Sequence, residues 1–335
     1  MRCVMLLSVS LSFLLPACSA RDGSDGAAAR RAYGGHRVLV WAVDKETREA
    51  RGFAQGTVRP GGELKLTPAD GYAVTFSAGQ VANATVSDFR REWQEPSVPF
   101  TTRHATGSTE SSRDLATPFV HVEYGINEPL ASVAYIAPVG SLRSERLKPL
   151  LAGEFKGDTG ELEDLLLAAA LDQLLDLQQL TEAYDVLGRT SRREQWARLM
   201  DDRNGATALA ATTVLARTGD APAQAAFRRR VLEAKGNAQV ELIDILCQMP
   251  QSAVFLETIV DLITTPGAYR VQTPPGVAAG DMDRRYGLFR ALQEYPNEQV
   301  RPYAERLRRW AKKQDEGWRR QVEGVLEAEA KQSNE

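Results

Sequence analysis

Three histidines and three cysteines are the residues of this chain best suited to ligate a metal or to act as base and nucleophile. His36, His104 and His121 fall in no HExxH pattern, and none pairs with Cys at a zinc-ligand spacing. Cys247 lies in the helical pattern Ile243-Asp244-Ile245-Leu246-Cys247-Gln248-Met249, where a cysteine reads as a small buried apolar residue. Ser108, Ser111 and Ser112 follow His104 closely enough to imitate a nucleophile–base set. A nucleophilic serine of that kind needs a strand–turn–helix setting. The stretch 101–117 is polar and Ser/Thr-rich instead, and reads as a long loop. There is no GxSxG elbow, no Walker loop and no GxGxxG after a strand. Asp22-Gly23-Ser24-Asp25-Gly26 begins like a calcium loop but lacks the later ligands. The chain is therefore expected to be no enzyme, with no catalytic residue, no cofactor and no metal.

Charge supports the same expectation. The 335 residues carry 41 Lys+Arg against 44 Asp+Glu, a net −3, so no overall field draws the molecule to nucleic acid. One basic run stands out: Arg306, Arg308, Arg309, Lys312, Lys313, Arg319 and Arg320, interleaved with Trp310 and Trp318. Acidic residues are mixed into it, so it reads as a solvated helix face with its tryptophans in the core. With 43% hydrophobic and 25% charged residues the composition is that of a globular chain, and the length suggests two domains.

The first seventeen residues have a signal-peptide pattern: Arg2, then an apolar segment from Val4 to Leu15 too short to span a bilayer. It ends in Leu15-Pro16-Ala17-Cys18, which resembles the lipobox of bacterial lipoproteins. The resemblance implies removal of 1–17 and lipidation of Cys18, so that the bilayer is one partner. Ser19 after the cysteine implies, by the enteric sorting pattern, the periplasmic face of the outer membrane. The alternative is ordinary cleavage after Ala20 and a secreted or periplasmic soluble protein. Residues 18–36 are small, polar and Gly-rich, and read as a flexible tether.

Two regions follow. Residues 37–140 alternate short apolar runs with turn chemistry. The expected strands are Val38–Trp41, Phe53–Val58, Glu63–Leu66, Tyr72–Phe76, Gln80–Phe89, Phe119–Tyr124 and Leu130–Ile136. Such runs predict an antiparallel, β-sandwich-like domain. Residues 141–335 change to helical periodicity. Asp158 with Glu161, and Ser191 with Glu194, have capping-box spacing. First helices are expected from Arg192, Ala221, Gln251 and Glu298, and second helices from Gly205, Ala238, Asp283 and Glu316. The steps are about thirty residues, apart from one in each series that is lengthened by the Pro/Gly-rich segment Thr264–Met282.

Breaks at Asn204/Gly205, Gly219-Asp220-Ala221-Pro222 and Gly236-Asn237, with apolar sets such as Leu209/Val214/Leu215 and Leu242/Ile245/Leu246, resemble HEAT-like repeats of the armadillo superfamily. The fold expected is thus α+β multidomain, a β-sandwich-like domain followed by an all-α HEAT-like domain. The resemblance implies an extended surface that binds another envelope protein or a peptide. Tyr269 and Arg270, in the Thr264–Met282 insertion, are the expected contact pair. Two alternatives stand beside this one. Trp41, Tyr72, Trp93, Tyr124 and Tyr135 could stack on glycan or peptidoglycan, or an unfamiliar hydrolase site could lie in a cleft.

Overall fold

The computed structural model describes residues 35–59, 62–78, 97–104, 107–114, 118–124, 129–139, 142, 144–265 and 285–327. The signal segment, residues 18–34 of the expected tether, the expected strand Gln80–Phe89 and most of the Thr264–Met282 insertion lie outside these residues; the tether's expected last residue, His36, is instead the buried first residue of the first strand.

The molecule is an α+β chain, with antiparallel strands first and helices after them. β1 (His36–Asp44), β2 (Ala50–Val58), β7 (Phe119–Tyr124) and β8 (Leu130–Pro138) form one sheet in the order β2-β1-β8-β7. β3 (Glu63–Ala69), β4 (Tyr72–Ala78), β5 (Ser97–His104) and β6 (Gly107–Asp114) form a second in sequential order. β8 returns to pair antiparallel with β1, from His36↔Pro138 to Asp44↔Leu130, so the first and last strands close the region.

The expected loop over 101–117 is corrected: 97–104 and 107–114 are the two arms of an antiparallel hairpin, closed by the pair His104↔Gly107. Ser108, Ser111 and Ser112 therefore belong to a strand and not to an irregular loop. Thr and Ser tolerate extended backbone, but apart from Val98 and Phe100 these arms lack the period-2 apolar signal by which strands are recognised.

β1 explains how the layers are built. Successive strand residues face opposite sides of a sheet, and Val38–Val43 are all buried. Val38, Val40 and Ala42, with Val58, Phe119, Ala134 and Ile136, pack against Leu66, Tyr72, Val74 and Phe76 of the second sheet. Leu39, Trp41 and Val43, with Val120, Ala131, Val133, Tyr135 and Ala137, share a core with the helices. The first sheet thus lies between the second sheet and the helical region.

The helices begin with α1 (Leu147–Ala152), α2 (Thr159–Leu171), α3 (Leu177–Leu187) and α4 (Arg193–Leu199). The next four are α5 (Gly205–Arg217), α6 (Ala221–Glu233), α7 (Asn237–Leu246) and α8 (Ala253–Thr264). α9 (Arg285–Gln293) and α10 (Asn297–Val300) follow, then a 3-10 turn at Arg301–Tyr303, α11 (Ala304–Ala311) and α12 (Glu316–Leu326). Consecutive helices pack on one another: α4 with α5, α5 with α6, α6 with α7, α8 with α9 and α11 with α12. Helices further apart in sequence also touch: α3 with α5, α6 with α8, α8 with α11 and α9 with α12. None of the helices among the described residues is long and apolar enough to cross a membrane.

Side chains acting over one helix pair fix these starts. Asn204, Asp220, Ser252 and Asp315 accept N–H bonds at the N-termini of α5, α6, α8 and α12. Asp158 caps α2, while Glu161 reaches past it to the N–H groups of Lys156 (3.0 Å) and Gly157 (2.9 Å). The expected Ser191/Glu194 box does not form. The Ser191 N–H (3.0 Å) and Oγ (2.8 Å) instead donate to the buried Glu163 of α2, one helix pair earlier.

Where the sheet meets the helices, Trp41 donates Nε1–H to the Asp158 carbonyl (3.1 Å) and packs on Phe53, with ring centroids 4.9 Å apart. Gly52 allows β2 to cross β3, because a Cβ there would stand 1.8 Å from the Pro68 carbonyl oxygen. Gly324, inside α12, faces open space. Gly52→Ala should therefore cost about 1–3 kcal/mol of stability. Gly324→Ala should add about 0.5–1 kcal/mol by removing a helical glycine. Urea unfolding of the two variants checks the opposite signs.

Candidate functional site

The residues expected to do chemistry fall apart into separate places. Cys18, Trp93, Tyr269 and Arg270 lie outside the described residues. Arg285 at the start of α9 donates to the Thr265 carbonyl beyond α8 (3.4 Å), so the two ends of the Thr264–Met282 insertion are neighbours. His36 is buried edge-on to Phe119, and burial lowers its pKa to about 4, so it is a neutral core residue at neutral pH. His121 sits 3.3 Å from the Glu123 carboxylate two residues along the same strand. Cys247 is half-buried at the end of α7, packed on the core with its Sγ beside Gly287. Among the described residues, no group of three or more His, Cys, Asp and Glu is placed to hold a metal ion. Burial, with Asp176 and Asp244 nearby, raises the carboxyl pKa of Glu241.

The aromatics that could have stacked on sugar are mostly inside. Trp41 and Tyr135 are 0% exposed, on the face of the first sheet that the helices cover. Tyr72 is buried between the sheets, and Tyr124 is the exception at 40% exposed. Tyr124 is occupied structurally, because its hydroxyl donates to the Asp185 carboxylate of α3. Burial and that carboxylate both push the phenol's pKa upward, so it stays a donor.

Asp185 is the centre of a junction. It also pairs with Arg217 of α5 at 2.6 Å, and Arg217 donates to the Gln248 carbonyl at the end of α7 (2.7 Å). Arg48, in the turn after β1, donates to the carbonyls of Asp185 (2.8 Å) and Val186 (3.3 Å) at the end of α3. One acidic residue thus ties the strands to three helices.

A different arrangement is open to solvent. A groove of about 830 Å³ is lined by Asn297, Arg301, Glu305, Arg308 and Lys312, with Arg309, Pro302, Ala304 and Leu326 beside them. Residues 297, 301, 304, 305, 308 and 312 recur at the three-to-four-residue spacing of one helix face. The adjoining face, Val300, Leu307, Trp310 and Ala311, is buried. Pro302 has no N–H to continue an α-helix, and the chain there forms the 3-10 turn between α10 and α11.

The basic run of the sequence is divided by this geometry. Arg306 leaves the groove for Asp261 of α8 (2.7 Å). Arg319 donates to the carbonyls of Ala311 (3.4 Å) and Lys312 (3.3 Å), and Arg320 pairs with Glu316 (2.5 Å). Arg308 pairs with Glu323 (3.0 Å) and Arg309 with Glu305 (2.6 Å). Arg301 and Lys312 make no ion pair among the described residues. The tryptophans are in the core: Trp310 and Trp318 pack on each other and on Phe289, and Tyr286 stacks on Trp318 at 4.4 Å. Sequence reading took the run as one solvated face. The signal it missed is the 297–312 spacing, which puts Arg301 on the same face as Arg308 and Lys312.

No protein-family model, no curated protein and no solved structure matches the chain.

The junction carries an asymmetric prediction. The Arg217 side chain is only 4% exposed, whereas Asp185 is 41% exposed. Asp185→Ala strands a buried guanidinium and should cost about 3 kcal/mol. Arg217→Met leaves a carboxylate that water can reach, and should cost about half as much. Thermal unfolding of both variants measures the difference.

Proposed function

We propose that this chain is a non-catalytic, lipid-anchored protein of the bacterial cell envelope that binds another envelope protein or a peptide through its helical region. In this reading the paired sheets are a sandwich-like module, and α4 to α12 are HEAT-like repeats. Cys18 is the lipidation site. Tyr269 and Arg270 add contacts from the insertion.

The observation that carries the reading is the ion-pair ladder along α4, α6, α8 and α11. Arg228 of α6 reaches Glu257 (2.6 Å) and Asp261 (2.7 Å) of α8, and Asp261 also takes Arg306 of α11 (2.7 Å). Arg193 of α4 pairs with Asp220, the N-cap of α6 (2.5 Å). Each contact joins one member of the first-helix series expected from the sequence to the next, an arrangement that fits stacked repeats. A stack held in register offers a long preformed surface, which lowers the ordering cost of binding an extended partner.

The test is affinity capture of the full chain from its native envelope, alongside Cys18→Ser. The wild type should fractionate with membranes and retain stable protein partners. Cys18→Ser should move to the soluble fraction and still capture them. Recovery of glycan without protein would replace the reading, and unchanged membrane fractionation of the variant would remove the anchor.

A further inference from the structure

We infer that the groove along α10 and α11 is a docking site for an acidic peptide segment, one that carries carboxylate side chains interspersed with apolar ones. This rests on the protein-binding reading above and names the chemistry of the partner.

The cations are spread along the groove. Arg301, Arg308 and Lys312 follow one another on the same helix face, with Arg309 at the side. From Asn297 to Lys312 the chain advances roughly 20 Å at helical rise. An extended peptide covers that length with about six residues. A phosphate headgroup would be met by cations converging on one point; here the charge is arranged as a row. Pro302, Ala304 and Leu326 form apolar wall between the cations, which suits side chains alternating between carboxylate and aliphatic.

Two kinds of cation are available to such a ligand. Arg301 and Lys312 have no carboxylate partner among the described residues, so a ligand carboxylate meets them without displacing anything. Arg308 and Arg309 are bound to Glu323 and Glu305 at exposed positions. The exposed Arg309–Glu305 pair is of the weak kind that exchanges readily, so Arg309 can turn to an external carboxylate. Arg308 holds Glu323 with two hydrogen bonds (3.0 and 3.1 Å) and offers a ligand its remaining N–H groups. Glu305 and Glu323 set the selectivity, since they repel peptides that lack enough apolar contact to hold a carboxylate nearby.

The experiment is fluorescence anisotropy of the full chain in detergent micelles, with a labelled peptide of alternating Glu and Leu about twelve residues long. A Lys/Leu peptide of the same length is the control, and vesicles containing anionic phosphatidylglycerol are the competing surface. The Glu/Leu peptide should bind, should weaken with added salt, and should outbind the Lys/Leu peptide. Arg301→Glu combined with Lys312→Glu should weaken it about tenfold or more. Arg320→Glu, outside the groove, should leave it unchanged. Absence of peptide binding overturns the inference, as does binding that the double variant retains. Groove-dependent binding to the vesicles with none to the peptide also overturns it, in favour of a lipid surface. Capture of the same envelope partners by the double variant and the wild type would overturn the groove assignment and leave the scaffold reading standing. Failure of the wild type to capture any partner would instead remove the scaffold reading.

Discussion

The structure depends on a sheet that is buried on both faces. β1 supplies Val38, Val40 and Ala42 to one apolar layer and Leu39, Trp41 and Val43 to another. β8 does the same, with Ala134 and Ile136 on one side and Ala131, Val133, Tyr135 and Ala137 on the other. A strand with no solvent side cannot slip by one residue without exchanging its two packing partners. This fixes how the second sheet and the helices are placed. The face that meets the helices cannot be left in water: Trp41, Tyr135 and Leu39 are all fully buried there, each worth roughly 2 kcal/mol or more of burial.

From that attachment the helical region extends by local rules. Asp or Asn at the caps starts several helices, and Gly188 and Gly219, both with positive φ, allow the chain to turn after α3 and α5. Charged side chains then join each pair to the next, through Glu163 and Ser191, Arg193 and Asp220, and Arg228 and Asp261. These pairs are individually modest. They tie one helix to another, while the driving force of the packing is apolar contact such as Phe227 against Phe255, with ring centroids 6.0 Å apart. Polar groups are left for the outside, and the groove at Arg301 and Lys312 is one such outer face.

Much of this was legible in the residues. Turn chemistry and alternation located β1 to β4, β7 and β8, and the roughly thirty-residue spacing placed the starts of α4 to α9 and α12 within a few residues. The failures have physical causes. β6 and the second half of β5 carry Thr, Ser, Arg and Glu in place of alternating apolar residues, so nothing there marks a strand except tolerance of extended backbone; only Val98 and Phe100 alternate. The Ser191/Glu194 spacing was a correct local pattern, but a buried carboxylate from α2 took the serine. The groove was missed because charge was counted along the run. Grouped by helix face, Arg301 separates from Arg306, which crosses to Asp261. The apolar runs Val38–Trp41 and Leu130–Ile136, the second broken only by Ser132, were visible as strands. Their continuity was itself a sign that both faces are covered, and it is the feature from which the attachment of the helices could have been anticipated.

Native-state hydrogen exchange of the full chain and of Trp41→Ala tests the shared core most directly. Trp41 stands in the core shared with the helices, packed on Phe53 of β2 and on Phe155 and bonded to the Asp158 carbonyl. If one core binds both regions, the slowest amides of β1 and β8 and those of α2, α3 and α5 open with one common free energy. Trp41→Ala should then lower all of them together by about 3–5 kcal/mol. Loss of protection in the strands while the helices keep their wild-type exchange would contradict the account.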